Sequence, residues 1–164
     1  MLMNKKQVMQ FLPHRDPFLF IDEVVGVELP EAVREKAKPL IPSELVGGKT
    51  HCRYTVNEQT KVLEGHFPGH PILPGVVQVE MMAQASAFLM IHAIKGPLEE
   101  AKLDVALLAV EKAKFRKPVV PGMVLDITTT LTKVRGIMTN YTAEIHCKGE
   151  LISESSFMAS LKLE

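Results

Sequence analysis

The sequence of 164 residues contains no tryptophan, only two cysteines, and few aromatic side chains, which make up 5% of the chain. Cys52 and Cys147 lie far apart and outside any CxxC pattern, which argues against a disulfide scaffold and a cysteine-rich metal site. We expect two reduced thiols and no bound metal. The formal net charge is +0. A neutral chain has no overall attraction to nucleic acid or to an anionic membrane, so any electrostatic recognition must be local.

Sequence motifs of nucleotide-binding proteins are also absent, as are internal repeats. The first residues, MLMNKKQVMQFLP, lack the uninterrupted apolar core of a signal peptide. The longest apolar stretch, which follows residue 74, is interrupted by Gln78, Glu80, Gln84 and His92, and no second such stretch exists. We therefore expect one soluble, cytoplasmic domain over residues 1–164, with no nucleic-acid or membrane partner.

A loop rich in proline and glycine is the most distinctive segment of the sequence. Residues 65–75 read GHFPGHPILPG and contain three prolines and three glycines. Because proline fixes φ and glycine permits positive φ, this composition predicts a tightly specified loop that holds His66. His66 and His70 lie four positions apart, but the intervening prolines and glycines exclude a helical metal site, and no carboxylate follows at ligand spacing.

The segment after this loop, VVQVEMMAQASAFLMIHAIK, is apolar on nearly every face, which is typical of a helix buried on all sides. Pro74 suits the first helical position and Gly96-Pro97 provides a stop, so we predict a helix over residues 74–95. Glu80 and Gln84 lie one turn apart on one face of this helix. A buried carboxylate needs a partner or a proton. Glu80 is either a structural residue bonded to a neighbouring strand or the acid–base partner of His66, from the same chain or from another copy.

Most of the remaining sequence predicts β-strands. Residues 18–27 form an apolar run with β-branched members, and the chain after residue 104 alternates apolar with polar residues between glycine-containing turns. One buried face per strand indicates an antiparallel sheet that covers a large apolar element, and the central helix is the only candidate. A short helix is expected over residues 3–11. For His14 and Arg15 we expect capping and loop packing rather than chemistry.

Three separate motifs resemble those of the 3-hydroxyacyl-[acyl-carrier-protein] dehydratases of the FabZ type. They are LPHR with PFL and Asp22 near the start, HFPGHPILPG followed by Glu80 and MAQ, and KAKFRKPVVPG at residues 112–122. The resemblance implies an α+β hot-dog fold, in which a curved antiparallel sheet wraps around a long central helix. Residues 29–50 do not match and form an atypical insert, with a two-turn helix expected over residues 31–38. The insert is either a surface excursion or a flap over the substrate tunnel.

The resemblance also implies a reaction, the reversible dehydration of a (3R)-3-hydroxyacyl thioester to the trans-2-enoyl thioester, which needs no cofactor. His66 would be the base, and Glu80 the acid or the residue that orients the water formed. Gly75 would stabilise the developing oxyanion through its backbone N–H, and further substrate contacts would come from Phe67, Val76 and Gln84. An acid role requires a protonated Glu80 carboxyl, which the apolar residues on either side of Glu80 would favour.

A row of cations provides a candidate docking site. Lys112, Lys114 and Arg116 occupy alternate positions, so a strand would place them on one face, and Lys117 extends the row. A solvated strand face is the simpler interpretation, whereas the resemblance implies docking of an acidic acyl carrier protein. It further implies a homodimer with shared active sites, assembled into a trimer of dimers. Where many family members carry a gating tyrosine, this chain has Ala106 or Leu107, so gating is not expected.

Three other functions remain open at this point. A dehydratase that also isomerises the double bond usually carries aspartate at position 80. A hot-dog thioesterase would need a carboxylate that poises water but would not need His66 in its loop. A non-enzymatic regulator that binds acyl thioesters would have no use for a buried Glu80 facing a histidine, and no DNA-binding segment is recognisable in the sequence.

Overall fold

The computed structural model describes residues 1–163, which form one six-stranded sheet and a central helix. The elements in chain order are helix α1 (Lys5–Phe11), strands β1 (Glu23–Glu28) and β2 (Lys49–Thr55), helix α2 (Gly75–Ser86), and strands β3 (Leu103–Phe115), β4 (Val124–Arg135), β5 (Met138–Cys147) and β6 (Glu150–Leu163). All paired strands are antiparallel, in the order β1-β2-β4-β5-β6-β3. Helix α2 contacts five of the six strands, β2 to β6. The expected α+β architecture, with a sheet around one helix, is confirmed.

The central helix has the predicted position but two different parts. The α-helix ends at Ser86 and continues as a 3-10 helix over Ala87–Ala93, and Pro74 is the N-cap rather than the first helical residue. Gly75–Ala93 is long and apolar enough to cross a membrane by length and composition, yet 67% of its most apolar window is buried within the fold. Several side chains of the helix itself are almost inaccessible to solvent, namely Met81, Met82, Ala85, Phe88 and Leu89. The helix is thus the core element of the fold.

Strands β5 and β6 alternate as predicted. In β5 every second side chain from Thr139 to Cys147 is buried, and the intervening ones face outward. The rings of Tyr141 and Phe157 stack on neighbouring strands with centroids 5.5 Å apart. The turns between β4 and β5 and between β5 and β6 contain Gly136 and Gly149, both with positive φ, which residues with a Cβ rarely adopt.

The first strand begins later than predicted, at Glu23 rather than near residue 18. The backbone before it bonds to a side chain of α2. Gln84 Oε1 accepts a hydrogen bond from the Phe20 N–H at 2.9 Å, and Gln84 Nε2 donates to the Phe18 carbonyl, also at 2.9 Å. Because these groups bond to Gln84, they do not extend the ladder with β2. The segment therefore ties the edge of the sheet to the central helix, next to Glu80.

The insert at residues 29–50 packs against the C-terminal end of the central helix. Only a single 3-10 turn, Glu31–Val33, forms where a two-turn helix was predicted, because a short helix between two prolines has too few hydrogen bonds to persist. The side chains of Val33, Leu40 and Leu45 are buried, and the Leu40 N–H donates to the His92 carbonyl at 2.8 Å. Burial lowers the pKa of the His92 imidazole to about 4. The insert therefore covers this end of the helix.

Strand β3 lies at one edge of the sheet. It pairs with β6, and no other strand among residues 1–163 pairs with its second edge. Large apolar side chains along β3 are 41 to 49% exposed, namely Leu107, Leu108, Val110 and Phe115. An unpaired edge with exposed apolar side chains is typical of a surface that another chain covers.

Candidate active site

His66 is held in its loop by hydrogen bonds to the backbone. Its Nδ1 lies 2.7 Å from the carbonyl oxygen of Ile72, and the Ile72 N–H donates back to the His66 carbonyl at 2.8 Å. The His66 ring also stacks on Phe67, with centroids 4.1 Å apart. Because a carbonyl oxygen can only accept, Nδ1 carries the proton, and in the neutral ring Nε2 keeps a lone pair. The loop thus presents a histidine with a free basic nitrogen.

A cavity of about 320 Å³ adjoins His66 and is also lined by Gly75, Phe115 and Arg116. Pro74 gives α2 no side-chain cap, and the N–H of Gly75 forms no hydrogen bond within the described part of the chain. A Cβ at Gly75 would lie 2.9 Å from atoms of the Phe115 ring, so only glycine allows this close approach. An N–H at the positive end of a helix dipole therefore lies in the same cavity as His66.

Glu80 projects from α2 into a second and narrower cavity. Its Oε1 accepts a hydrogen bond from Gln84 Nε2 at 2.8 Å and lies 3.2 Å from His14 Nε2. The Glu80 side chain is 19% exposed. The cavity measures about 60 Å³, and its other walls are mostly small or apolar side chains from α2, β3 and β6. The carboxyl is thus largely removed from water and held by two side chains of its own chain.

Gln84 has a defined orientation because all of its polar groups are engaged. Its Oε1 accepts from the Phe20 N–H, and its two N–H groups donate to the Phe18 carbonyl and to Glu80. If the Gln84 amide were rotated by 180°, its oxygen would face the Phe18 carbonyl and the Glu80 carboxyl, which are both acceptors. The amide nitrogen must therefore face Glu80. Gln84 is only 2% exposed. The structure therefore places Gln84 as a partner of Glu80.

One chain does not bring His66 and Glu80 together. Within residues 1–163 no hydrogen bond or ion pair joins these side chains, and they line different cavities. We call His66, Phe67, Gly75 and Phe115 the His66 half-site, and His14, Glu80 and Gln84 the Glu80 half-site. Near the former, Phe67 is 50% and Val76 is 77% exposed. The cavity beside Glu80, at about 60 Å³, is far smaller than the roughly 300–1,000 Å³ of ordinary ligand pockets and cannot hold a substrate alone.

His14 lies beside Glu80, a contact that the sequence did not reveal. Loop packing was expected, but its Nε2 lies 3.2 Å from Glu80 Oε1. The neighbouring Arg15 behaves as predicted, because its Nη1 donates to the carbonyls of Leu12 and His14 at 2.8 and 2.7 Å. The LPHR motif was the available signal. It did not reveal the contact because Glu80 lies far along the chain and the two meet only in the folded molecule.

The cation row begins on β3 and ends two residues after it, and glutamates of β6 partly neutralise it. Arg116 Nη2 lies 2.9 Å and Lys112 Nζ 3.9 Å from the oxygens of Glu154, and Lys117 pairs with Glu150. The hydrogen bond from Arg116 holds the pKa of the Glu154 carboxyl below its ordinary value. Lys114 has no ion pair within the described chain. Arg116 and Lys117 also line the cavity beside His66, so the row ends at the mouth of that half-site.

Within residues 1–163 no group of three or more His, Cys, Asp or Glu side chains is arranged to hold a metal ion. The His66 half-site contains an imidazole and an unbonded backbone N–H. The Glu80 half-site contains a carboxyl that accepts from Gln84 Nε2 and lies 3.2 Å from His14 Nε2.

Comparison with known proteins identifies the family. The model of the FabA-like domain matches residues 12–156. The 3-hydroxyacyl-[acyl-carrier-protein] dehydratase FabZ of Acidiphilium cryptum is 38% identical over 154 residues, which cover 94% of this chain and 82% of that protein. FabZ of Erythrobacter litoralis is 37% identical over 156 residues, or 95% and 91% of the two chains. The bifunctional enzyme LpxC/FabZ of Chlorobaculum tepidum is 36% identical, and the match spans only 29% of that longer protein.

Solved structures share the fold. The dehydratase heterocomplex ApeI:P from Xenorhabdus doucetiae matches with a TM-score of 0.65 and 20% identity, covering 94% of this chain and 90% of that chain. A hot-dog-like protein from Thermanaerovibrio acidaminovorans matches with a TM-score of 0.56 and 13% identity, covering 71% and 82%. At these identities the likeness shows the fold alone, and it confirms the expected hot-dog architecture. The family model and the relatives above 30% identity carry the assignment further, and the chain therefore belongs to the FabA-like family, among its FabZ-type dehydratases.

Proposed function

We propose that the protein catalyses the reversible dehydration of (3R)-3-hydroxyacyl-[acyl-carrier-protein] to trans-2-enoyl-[acyl-carrier-protein] in fatty acid biosynthesis. One observation carries the proposal. A histidine whose Nδ1 bonds to a backbone carbonyl and a largely buried carboxyl that accepts from Gln84 occur in a chain whose relatives are FabZ enzymes. We further propose that the reaction takes place in the cytoplasm and needs no cofactor.

The reaction needs one group that removes a proton and one that supplies a proton. His66 Nε2 takes the proton from Cα, and the electron pair moves toward the thioester carbonyl as enolate character develops. The Gly75 N–H, at the positive end of α2, stabilises the oxygen that gains charge. As the double bond forms, the bond from C3 to the hydroxyl breaks, and the departing oxygen takes the proton of Glu80 and leaves as water. Phe67 and Val76 contact the substrate beside Gly75.

The complete site combines the His66 half-site of one subunit with the Glu80 half-site of a second copy. Three features support this proposal, namely the absence of a His66–Glu80 contact within the described chain, the small size of the Glu80 cavity, and the exposed apolar edge of β3. A two-fold axis uses one surface twice, so each pair of chains contains two such sites. Assembly of three pairs into a trimer of dimers is part of the proposal and is measurable as the mass of the particle in solution.

The row formed by Lys112, Lys114, Arg116 and Lys117 is the proposed docking site for the acidic carrier protein. Its last two members line the His66 cavity, so a carrier bound there would deliver its thioester into the mouth of the site. Glu150 and Glu154 offset part of this charge, which leaves Lys114 as the cation without an ion pair within the described chain. Complementary charge mainly raises the rate of encounter and the specificity of docking.

The test is incubation of the purified protein with 3-hydroxybutyryl-[acyl-carrier-protein]. Dehydration predicts the absorbance of a trans-2-enoyl thioester, and the reverse reaction predicts its loss when the enoyl substrate is supplied. Release of a free carrier thiol would instead indicate a thioesterase, and accumulation of a 3-enoyl product would indicate an isomerase. Binding without any product would indicate a regulator. Any of these three results in place of the enoyl product would overturn the proposed function.

A further inference from the structure

We propose that His14 is a positioning residue that determines which oxygen of Glu80 delivers the proton. The inference rests on the proposed dehydration and adds a group that the family signature around His66 and Glu80 does not contain. Within residues 1–163, Oε1 of Glu80 accepts a hydrogen bond from Gln84 Nε2 at 2.8 Å and lies 3.2 Å from His14 Nε2, whereas Oε2 has no side-chain partner. His14 thus contributes to a difference between the two carboxyl oxygens, because its contact is with Oε1 alone.

The position of the ring proton of His14 follows from its surroundings. Its Nδ1 is buried and has no hydrogen-bond partner within the described chain. A buried N–H without an acceptor is unfavourable, so we place a proton on Nε2. Nε2 lies 3.2 Å from Glu80 Oε1, so its N–H can point toward that oxygen.

Two N–H groups near one oxygen favour the other oxygen as the site of the carboxyl proton. Oε1 of Glu80 accepts from Gln84 Nε2 at 2.8 Å, and the N–H that we place on His14 Nε2 lies 3.2 Å from the same oxygen. In the acid form that the proposed reaction requires, the proton of Glu80 therefore lies on Oε2. The carboxyl cannot rotate to exchange its oxygens without losing both contacts. Oε2 is thus held as the donor toward the leaving hydroxyl of the substrate.

No other side chain in the cavity can replace this donor. His14 and Glu80 are the only titratable residues of the described chain that line it, and the remaining walls are Gln84, Ser86 and small or apolar side chains. The Ser86 hydroxyl already donates to the Ala83 carbonyl at 2.7 Å. The backbone around His14 is itself held by Arg15, whose guanidinium bonds to two carbonyls of the same loop. The position of the imidazole is therefore set before substrate binds.

The first experiment compares His14→Phe with His14→Gln. Loss of the Nε2 donor should lower kcat for 3-hydroxybutyryl-[acyl-carrier-protein] by roughly tenfold to a hundredfold, since a misplaced catalytic group can cost about that much, while KM stays near the wild-type value. His14→Gln retains an N–H at a similar reach and should recover most of kcat. His146→Phe, a change of the same kind on the outer face of β5, is the matched control and should leave kcat unchanged. If His14→Phe does not fold, His14→Asn replaces it, because its shorter amide cannot reach Glu80.

The second experiment asks whether His14 acts through Glu80. Adding His14→Phe to Glu80→Gln should cause no further loss, since residues that act as a unit are not additive. A 3-chlorobutyryl thioester needs no acid, because the C–Cl bond breaks with its electrons going to chloride. His14→Phe should therefore turn over this analogue within about twofold of wild type, whereas His66→Ala, which lacks the base, should not.

Three results would each overturn the role of His14. They are an equal loss of kcat on the hydroxy and chloro substrates, a loss of kcat that adds to that of Glu80→Gln, and a wild-type kcat for His14→Phe. In all three cases the proposed function stands, because the wild-type enzyme dehydrates the hydroxy substrate. A wild-type protein that forms no enoyl product would overturn the proposed function and this inference together.

Discussion

The two half-sites are built in opposite ways. In the Glu80 half-site, both N–H groups of Gln84 and one nitrogen of His14 have partners inside the same chain, and the cavity is narrow. In the His66 half-site, Phe67 and Phe115 are about half exposed, and the cavity opens to solvent. Glu80, the proposed acid, is thus oriented by the packing of its own subunit, whereas His66, the proposed base, lies beside an exposed surface that a second copy would cover.

The physical reason for this difference lies in what each group requires before the site is assembled. A buried carboxyl without partners is costly, so Glu80 must be bonded within the chain in which it folds. His66 lines a cavity that opens to solvent, where water can satisfy the lone pair of Nε2. We therefore expect the proposed acid to be sensitive to changes inside its own chain, and the proposed pairing of acid with base to depend on assembly.

The largest expected effect comes from Glu80→Gln. The amide keeps an oxygen that can accept from His14 and Gln84, so the fold and the melting temperature should change little. It cannot donate an acid proton, so kcat/KM for the hydroxyacyl carrier substrate should fall about 10²–10⁴-fold. The measurement is the rise of enoyl absorbance together with a thermal melt. A variant that keeps more than about a tenth of the wild-type rate would contradict the acid role.

The next prediction tests assembly directly. His66→Ala and Glu80→Ala should each be inactive alone, and a co-refolded mixture should recover roughly a quarter of the wild-type activity, as two-fold symmetry with independent sites requires. Half of the pairs are then mixed, and each mixed pair has one intact site. Mass spectrometry of the mixture verifies that mixed pairs form. An inactive mixture that contains them would show that each site lies within one subunit.

A smaller effect, a loss of unfolding free energy, is expected from Gln84→Leu, which removes hydrogen bonds inside the Glu80 half-site. It removes the partners of the Phe18 and Phe20 backbone groups and of Glu80, and each buried polar group left unpaired costs about 1–3 kcal/mol of unfolding free energy. Gln78→Leu is the matched control, since Gln78 is also buried on α2 but its Oε1 has no partner within the described residues and its Nε2 makes one long hydrogen bond, 3.4 Å, to the Leu73 carbonyl. Denaturant unfolding should show a loss for Gln84→Leu and little or none for Gln78→Leu. Equal losses would mean that burial alone, and not the hydrogen bonds, matters at Gln84.

The smallest effect is expected at the open side of the site. Lys114→Glu together with Arg116→Glu should lower kcat/KM for carrier-bound substrate about tenfold at low salt and leave a short thioester analogue unaffected. The defect should shrink at higher salt, because exposed charges are screened over about 10 Å at 0.1 M. Glu154→Gln is the opposite control and should favour the carrier substrate, since it frees Lys112 and Arg116. Equal losses on both substrates would show that the row stabilises the sheet and is not a docking site.

Much of the fold could be predicted from local patterns. The proline and glycine content of residues 65–75 indicated the loop, the continuous apolar run indicated the central helix, and the alternation in β5 and β6 indicated which side chains face it. The prediction failed where a distant side chain competes with the local pattern. Residues 18–22 resemble a strand in composition, but the Phe18 carbonyl and the Phe20 N–H form hydrogen bonds with the Gln84 side chain instead of with a neighbouring strand. No pattern within residues 18–22 indicates this.

The candidate site was likewise only partly predictable from the sequence. His66 and Glu80 were recognisable because each lies in a segment with its own unusual composition, and the motif resemblance named them as a pair. The contacts of Glu80 with His14 and Gln84 were not recognisable as one cluster. A motif fixes residue types along the chain, whereas a hydrogen bond between residues far apart depends on a loop and a helix that meet only after the sheet has formed.

The sequence by itself determined the loop, the buried helix, the alternating strands and the two residue types that can exchange protons. It did so because proline, glycine and apolar periodicity act on the backbone locally, within a few residues. Only the tertiary structure decided that His14 lies 3.2 Å from Glu80, that the insert covers the end of the central helix, and that His66 and Glu80 of one chain line separate cavities. These features depend on distances between segments remote in sequence, which packing sets and local preference does not encode.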